Sequence, residues 1–219
     1  MAGKTKETEI LEIKALDIKT VKITIRGDSP LIVHAWSEKA KRMMLDAQMK
    51  TTKTKAKDIR DPYDDFIQSL YWLTKKPNST PEEFDKAIKN GAKFGFPVGA
   101  IKMAGNSAAY RMGWVKNQMG LRGAYFLESE YGDMAQIVSD PPIMREDMVR
   151  IGMGSADLRY RGEFQNWHMD LTLEYNASGE YTLEQIVNII NAGGYVCGLG
   201  EWRPEKDGAF GRYHVEIGK

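Results

Sequence analysis

Cys197 is the only cysteine in the 219 residues, so the chain can form no internal disulfide, and its stability must come from a packed core. That usage predicts a reducing, cytoplasmic compartment. Histidine is scarce too. No two of His34, His168 and His214 have metal-ligand spacing, and with one cysteine this excludes zinc sites of the Cys₂His₂ or Cys₄ kind. No metal or cofactor is expected. There is no apolar run of about 18 residues, so no membrane span and no membrane partner are predicted. Residues 1–6 lack an apolar stretch of the signal-peptide kind, which predicts no secretory leader. A Walker loop, a Gly-x-Ser-x-Gly elbow and a His-Glu-x-x-His helix are all missing. Gly198-x-Gly200 opens no helix, so it is not a dinucleotide fingerprint. A net charge of +1 excludes a strong global field, and the basic excess lies in residues 1–60. Any nucleic-acid site must therefore be a local groove.

Glycine, by contrast, is concentrated. Residues 193–213 hold six glycines interleaved with Arg203, Lys206, Arg212, Trp202 and Phe210. Glycine is used where the backbone needs φ > 0 or must approach another group closely. The stretch is therefore expected to be a loop whose main-chain N–H groups and cations cradle phosphates. The alternative is a long hairpin loop needing glycine for its turns.

Period-2 alternation predicts strand over 10–18 and at Val21, Ile23 and Ile25, with a short strand resuming at Leu31 after Ser29-Pro30. Ala40, Met43, Met44 and Ala47 repeat at helical spacing. Residues 50–57 are nearly free of apolar side chains and read as an exposed basic loop. Thr80-Pro81-Glu82-Glu83 is a helix start and Asn90-Gly91 a stop. Ile101, Ala104, Ala108 and Met112 define a helix rich in small residues. Trp167, Met169, Leu171, Leu173 and Tyr175 alternate cleanly as a strand. Thr182 and Gln185 open a helix with Ile186, Ile189 and Ile190 inward and Gly193-Gly194 at its end. Tyr213, Val215 and Ile217 close the pattern. The predicted fold is α+β, a ferredoxin-like (RRM-like) βαββαβ core in one domain, 1–219, with a helical insertion at 40–95 and the C-terminal glycine-rich loop.

A basic set carries the expected chemistry. Lys102 and Arg111 lie on the small-residue helix, Arg145, Arg150, Arg159 and Arg161 follow, and Arg203, Lys206 and Arg212 come last. Aromatic residues are interleaved with them. Guanidinium forks match phosphate oxygens and aromatic planes stack on bases, which suits single-stranded nucleic acid. The competing expectation is that these arginines pair with Asp147, Glu163, Glu201 and Glu205. His34 follows the first strands and stands where a general base on a ribose hydroxyl would sit.

Three segments carry a family likeness: Ile23-Thr24-Ile25-Arg26-Gly27-Asp28-Ser29-Pro30-Leu31, then Phe96-Pro97-Val98-Gly99-Ala100-Ile101-Lys102 with Ala108-Ala109-Tyr110-Arg111, and Gly198 through Arg212. In this order they resemble the RAMP superfamily, the ferredoxin-like RNA-binding proteins of CRISPR assemblies, and specifically a stand-alone member carried by a bacteriophage. No position matches the catalytic aspartate of the target-cleaving members. The resemblance implies non-catalytic, sequence-tolerant binding of single strands, RNA favoured over DNA, by copies side by side along the strand. Lys102, Arg111, Arg159, Arg161, Arg203, Lys206 and Arg212 would contact phosphates. Gly198, Gly200, Gly208 and Gly211 would lie against the backbone, and Trp202 or Phe210 would stack. Two alternatives are a metal-independent endoribonuclease using His34, and a phage protein that mimics a backbone subunit inside a host CRISPR complex.

Overall fold

The computed structural model describes residues 15–50, 60–151 and 154–218. The N-terminal part of the first expected strand and residues 51–59 of the basic loop lie outside them. The first strand, β1, spans Ile18–Gly27; residues 15–17 are not strand. Its inward side chains Ile23 and Ile25 are buried while Lys22, Thr24 and Arg26 face out, as period-2 alternation requires. β2 (Leu31–Val33) follows, then three helices: α1 (Glu38–Gln48), α2 (Pro62–Ser69) and α3 (Pro81–Lys89). β3 (Phe94–Pro97) leads directly into α4 (Val98–Arg111). A short α5 (Met119–Arg122) precedes β4 (Tyr125–Glu128), β5 (Met134–Ile137), β6 (Ile143–Ile151), β7 (Ser155–Phe164) and β8 (His168–Asn176). The chain ends with α6 (Leu183–Ala192) and β9 (Tyr213–Ile217).

The architecture is α+β with antiparallel sheets. Four strands form one sheet in the order β4-β8-β1-β9, and β2-β7-β6 and β3-β5 form two smaller ones. One face of the large sheet carries α4 and α6. Ile101, Ala104 and Ala108 of α4, and Ile186 and Ile190 of α6, are buried against Met169, Leu171 and Leu173. Small residues along α4 permit this close approach, and Met112, expected inward, is exposed beyond the helix end instead. Thr182 and Gln185 complete a reciprocal capping box that starts α6.

The opposite face of the sheet is a ladder of polar cross-strand pairs. Lys22 Nζ donates to Thr172 Oγ1 at 2.6 Å, Thr24 Oγ1 to Asp170 Oδ1 at 2.6 Å, and Arg26 Nε to Glu216 Oε1 at 3.0 Å. No aromatic side chain stands outward on the two central strands, and Phe126 on β4 is the exposed aromatic of this face.

The segment expected as an insertion divides in two. Phe66, Ile67, Leu70, Phe84 and Phe94 join the same core cluster as Ile23 and Trp167, so α2, α3 and β3 are packed elements. Ser69 Oγ fixes α2 to the central strand of the small sheet by accepting from Gly162 N at 3.0 Å. α1, by contrast, leaves Met43, Met44 and Leu45 exposed.

α6 ends at Ala192 with Gly193 as its C-cap, where the glycine pair was expected to close it. Gly193 keeps a right-handed φ of −53°, however, and the chain continues as a π turn through Cys197 before Gly198 reverses it at φ 66°. Close packing explains both glycines. A Cβ on Gly193 would lie 2.6 Å from Gly105 N of α4, and one on Gly194 would collide with the Tyr213 carbonyl.

Candidate functional site: the groove between α4 and the glycine-rich loop

Residues 198–212 are tied down by main-chain bonds. Gly198 N donates to Gly193 O at 2.8 Å, Leu199 N to Gly211 O at 2.9 Å, and Phe210 N to Trp202 O at 3.0 Å. Three further bonds dock the loop on the Ser-Pro-Leu turn after β1. Glu201 N donates to Ile32 O at 2.9 Å and Gly211 N to Pro30 O at 2.8 Å, while Arg212 N donates to Ser29 Oγ at 3.0 Å. Gly200, at φ 70°, lies where any side chain would run into the Ile32 carbonyl. The expected main-chain phosphate cradle therefore needs correction: the N–H groups of Gly198, Leu199, Glu201, Gly208, Phe210 and Gly211 all donate within the chain. Glycine serves close docking here, and what the loop presents to solvent is side chains.

Between this loop and α4 lies an open groove of about 680 Å³. Ala100, Met103, Asn106 and Ser107 of α4 form one side, and 197–201 with Arg203 and Glu205 form the other. His34, Tyr71 and Phe96 close one end, Gln118 and Arg122 the other. Buried polar groups lie beneath the groove. Burial pushes the Cys197 thiol up, against a smaller pull from Ser107. Tyr125 Oη donates to Asn106 Oδ1 at 3.0 Å, and burial raises this phenol too.

Of the residues expected to bind, Lys102, Gly198, Gly200 and Arg203 line the groove. Arg111 reaches its edge through Glu205. The others stand elsewhere. Arg203 directs all three guanidinium nitrogens at its own loop: Nε and Nη2 to Glu205 Oε2 at 3.0 and 2.8 Å, and Nη1 to Gly200 O at 2.9 Å. Arg111 Nη2 meets the other Glu205 oxygen at 2.8 Å. Arg161 is 5% exposed, its Nη1 3.2 Å from Asp147 Oδ2 and its Nη2 3.5 Å from Glu201 Oε2, and its Nε has no partner among the described residues. Arg159 pairs with Asp157 at 2.8 Å. Phe210 lies under the Arg145 guanidinium, 4.6 Å from its carbon to the ring centroid. Arg145 in turn holds Asp147 and Glu163. Arg212 is half-buried, and Lys206 and Trp202 are exposed. Gly208 packs on the Trp202 carbonyl, which holds Trp202 in the left-handed region at φ 51°.

These acids are held ionised. The His34 contact first (Nδ1 to Oε1, 3.7 Å), then Arg161 and Arg203, keep Glu201 below the usual carboxylate range despite its burial. Arg203, then Arg111 and Lys206, do the same for Glu205. The far end differs. Lys102 Nζ donates to the Arg122 carbonyl at 2.7 Å and sits 4.3 Å from the Phe126 ring centroid. Among the described residues no carboxylate lies within 4 Å of the Lys102 amine or the Arg122 guanidinium. Burial lowers the Lys102 pKa.

Arg122, Glu201, Glu205, Tyr71 and Phe96 were not singled out by the sequence as groove residues. α5 is too short to show periodicity, and Tyr71 and Phe96 reach the groove through topology alone. Glu201 and Glu205 were legible only as possible partners of arginine. Among the described residues no three His, Cys, Asp or Glu side chains gather as a metal-binding group, and no helix is long and apolar enough to cross a membrane. A scan of the chain against models of known protein families finds no match, and a search of curated proteins finds none either.

Proposed function

We propose that the chain binds single-stranded nucleic acid, RNA in preference to DNA, without turning it over, and that it does so in the groove beside α4. The observation that carries this reading is the Lys102–Arg122 end of the groove, where two cations without carboxylate partners face an open volume of about 680 Å³. A phosphodiester supplies the missing anion. Trp202 supports it as the base-stacking residue, since it is exposed, strained and next in the chain to Glu201 and Arg203, which line the groove. Stacking of this kind contributes about 1–3 kcal/mol per base. Phe210 is covered by Arg145 and is the weaker candidate. The polar outer ladder of the sheet, bare of aromatics on its central strands, argues for the helix-side groove over the surface used by RRM-type domains.

The same proposal includes the fold family. The succession β1-α4-β4-β8-α6-β9, the order β4-β8-β1-β9 and two helices on one face fit a ferredoxin-like core built from two split βαβ units. On that view β2 to β3 and β5 to β7 are additions, and membership of the RAMP superfamily follows as part of the proposal.

Titration against labelled single-stranded RNA, single-stranded DNA and duplex DNA at two salt concentrations tests it. With Lys102→Ala and Arg122→Ala combined, affinity for RNA should fall about 20-fold in ~0.1 M salt, and the salt slope by about 1.4, as for two phosphate contacts on a single strand. Equal affinity in the double variant, or no binding by the unaltered protein, removes the proposal.

One observation favours a second reading. His34 and an ionised Glu201 meet inside the groove at 3.7 Å, the pairing that orients an imidazole for proton transfer. A metal-free cleavage assay decides. Product made by the unaltered protein and lost in His34→Ala, with binding retained, makes the protein an endoribonuclease.

A further inference from the structure

An asparagine side chain carries an acceptor oxygen and a donor NH₂. Used together on a base edge, the two match adenine, whose amino group gives a proton while its ring nitrogen takes one. Asn106 of α4 has only half of that set to offer. It is 6% exposed and lines the groove. Its Oδ1 accepts from Tyr125 Oη at 3.0 Å, while the Lys102 carbonyl stands farther from the phenol, at 3.4 Å. Gly105 leaves room for that phenol, since a Cβ there would lie 3.1 Å from Tyr125 Oη. The amide is thus held from beneath in one orientation. Its Nδ2 has no hydrogen-bond partner among the described residues and is not closed off from solvent, so it opens on the groove.

The rest of the lining suits a flat ring. Tyr71, Phe96, Ala100, Met103 and Leu199 supply apolar surface in a groove of about 680 Å³, a size that buries small ligands. The carboxylates of the groove belong to the loop side, where Arg111 and Arg203 hold Glu205 and Arg161 holds Glu201. Resting on the binding reading above, we infer that Asn106 sets base specificity: its Nδ2 donates to a base carbonyl, and uracil is taken in preference to adenine. Uracil carries two carbonyl oxygens and no amino group. Adenine has no carbonyl, and its amino group would meet an amide oxygen that Tyr125 already occupies. An amino group buried without an acceptor costs more than the hydrogen bond it fails to make.

Labelled uridine and adenosine RNA homopolymers of equal length are titrated against the unaltered protein, Asn106→Leu and Tyr125→Phe, each shown to be folded by circular dichroism. Unaltered protein should bind the uridine strand about fivefold more tightly or better, as for one neutral hydrogen bond. Asn106→Leu should lower that ratio at least about threefold by weakening uridine binding alone. Tyr125→Phe frees Oδ1 and should lower it from the other side, by strengthening adenosine binding. Comparing proteins cancels the different stiffness of the two strands. Tyr125→Phe removes a single oxygen, so the inference stays testable if the leucine variant loses its fold. A ratio unchanged in both variants, or an equal loss on both strands in Asn106→Leu, overturns the inference. Equal binding of both strands by the unaltered protein removes the base preference and leaves the binding proposal standing, whereas binding of neither strand removes both.

Discussion

The two ends of the groove differ in what their cations face. Around His34 and Arg203 the guanidiniums meet acids: Arg161 meets Glu201 beside His34, and Arg111 and Arg203 meet Glu205. Around Arg122, Lys102 meets a carbonyl and two aromatic rings. A phosphate arriving at the first end has to compete with a carboxylate already in place, whereas at the second it meets none among the described residues. The lesson is that arginine density marks where charge is gathered, and pairing decides where it is available.

The sharpest way to break this comparison is to unbalance the paired end. Arg161→Ala leaves Asp147, 7% exposed, with Arg145 as its remaining cation and should cost about 1–3 kcal/mol of stability in urea unfolding. A loss below about 1 kcal/mol would mean that this end is ordinary surface. Next in size comes binding. Lys102→Ala alone should weaken RNA affinity about fivefold in ~0.1 M salt, and Arg203→Ala less than twofold, because the Arg203 nitrogens are already engaged. Reversal of that order in a fluorescence titration would move the phosphate site to the loop.

A smaller effect separates the ends by pH. Glu201 and Glu205 have folded pKa values below the unfolded carboxylate value, so their stabilising contribution is present above that value and is lost as pH falls through the folded one. Glu201→Gln should therefore lower stability between pH ~6 and ~8, where that contribution is fully present, and flatten the acid side of the stability-against-pH curve. An acid limb identical to the parent's would show that Glu201 gains nothing from its cations. The least effect belongs to the outer ladder, where Arg26→Ala should leave the RNA titration and its salt slope unchanged. Any measurable weakening would bring the sheet face into the site.

Much of this was legible along the chain. Period-2 runs marked β1 and β8, Thr182 and Gln185 marked the start of α6, and the small residues of α4 anticipated its close packing. The glycine loop was legible as a unit but not in its chemistry. Nothing local says that Gly200 is reserved for the Ile32 carbonyl, or that Arg111 is matched to a glutamate 94 positions away. The π turn after α6 was missed for a related reason: Gly193-Gly194 reads as a helix stop until the proximity of Gly105 is known. Phe66 and Phe84 lie in the segment read as an insertion, and their packing was not legible there because their core partners come from other parts of the chain.

The docking of residues 198–212 on the turn after β1 also fixes when the groove comes into being. Arg212 N meets Ser29 across 183 positions, and β9 pairs with the C-terminal half of β1. Contacts of such sequence separation form late, after the cost of closing the long intervening loop has been met. During synthesis the α4 wall therefore exists well before the wall opposite it. The groove is complete only when the last strand has been made and has folded back to the first.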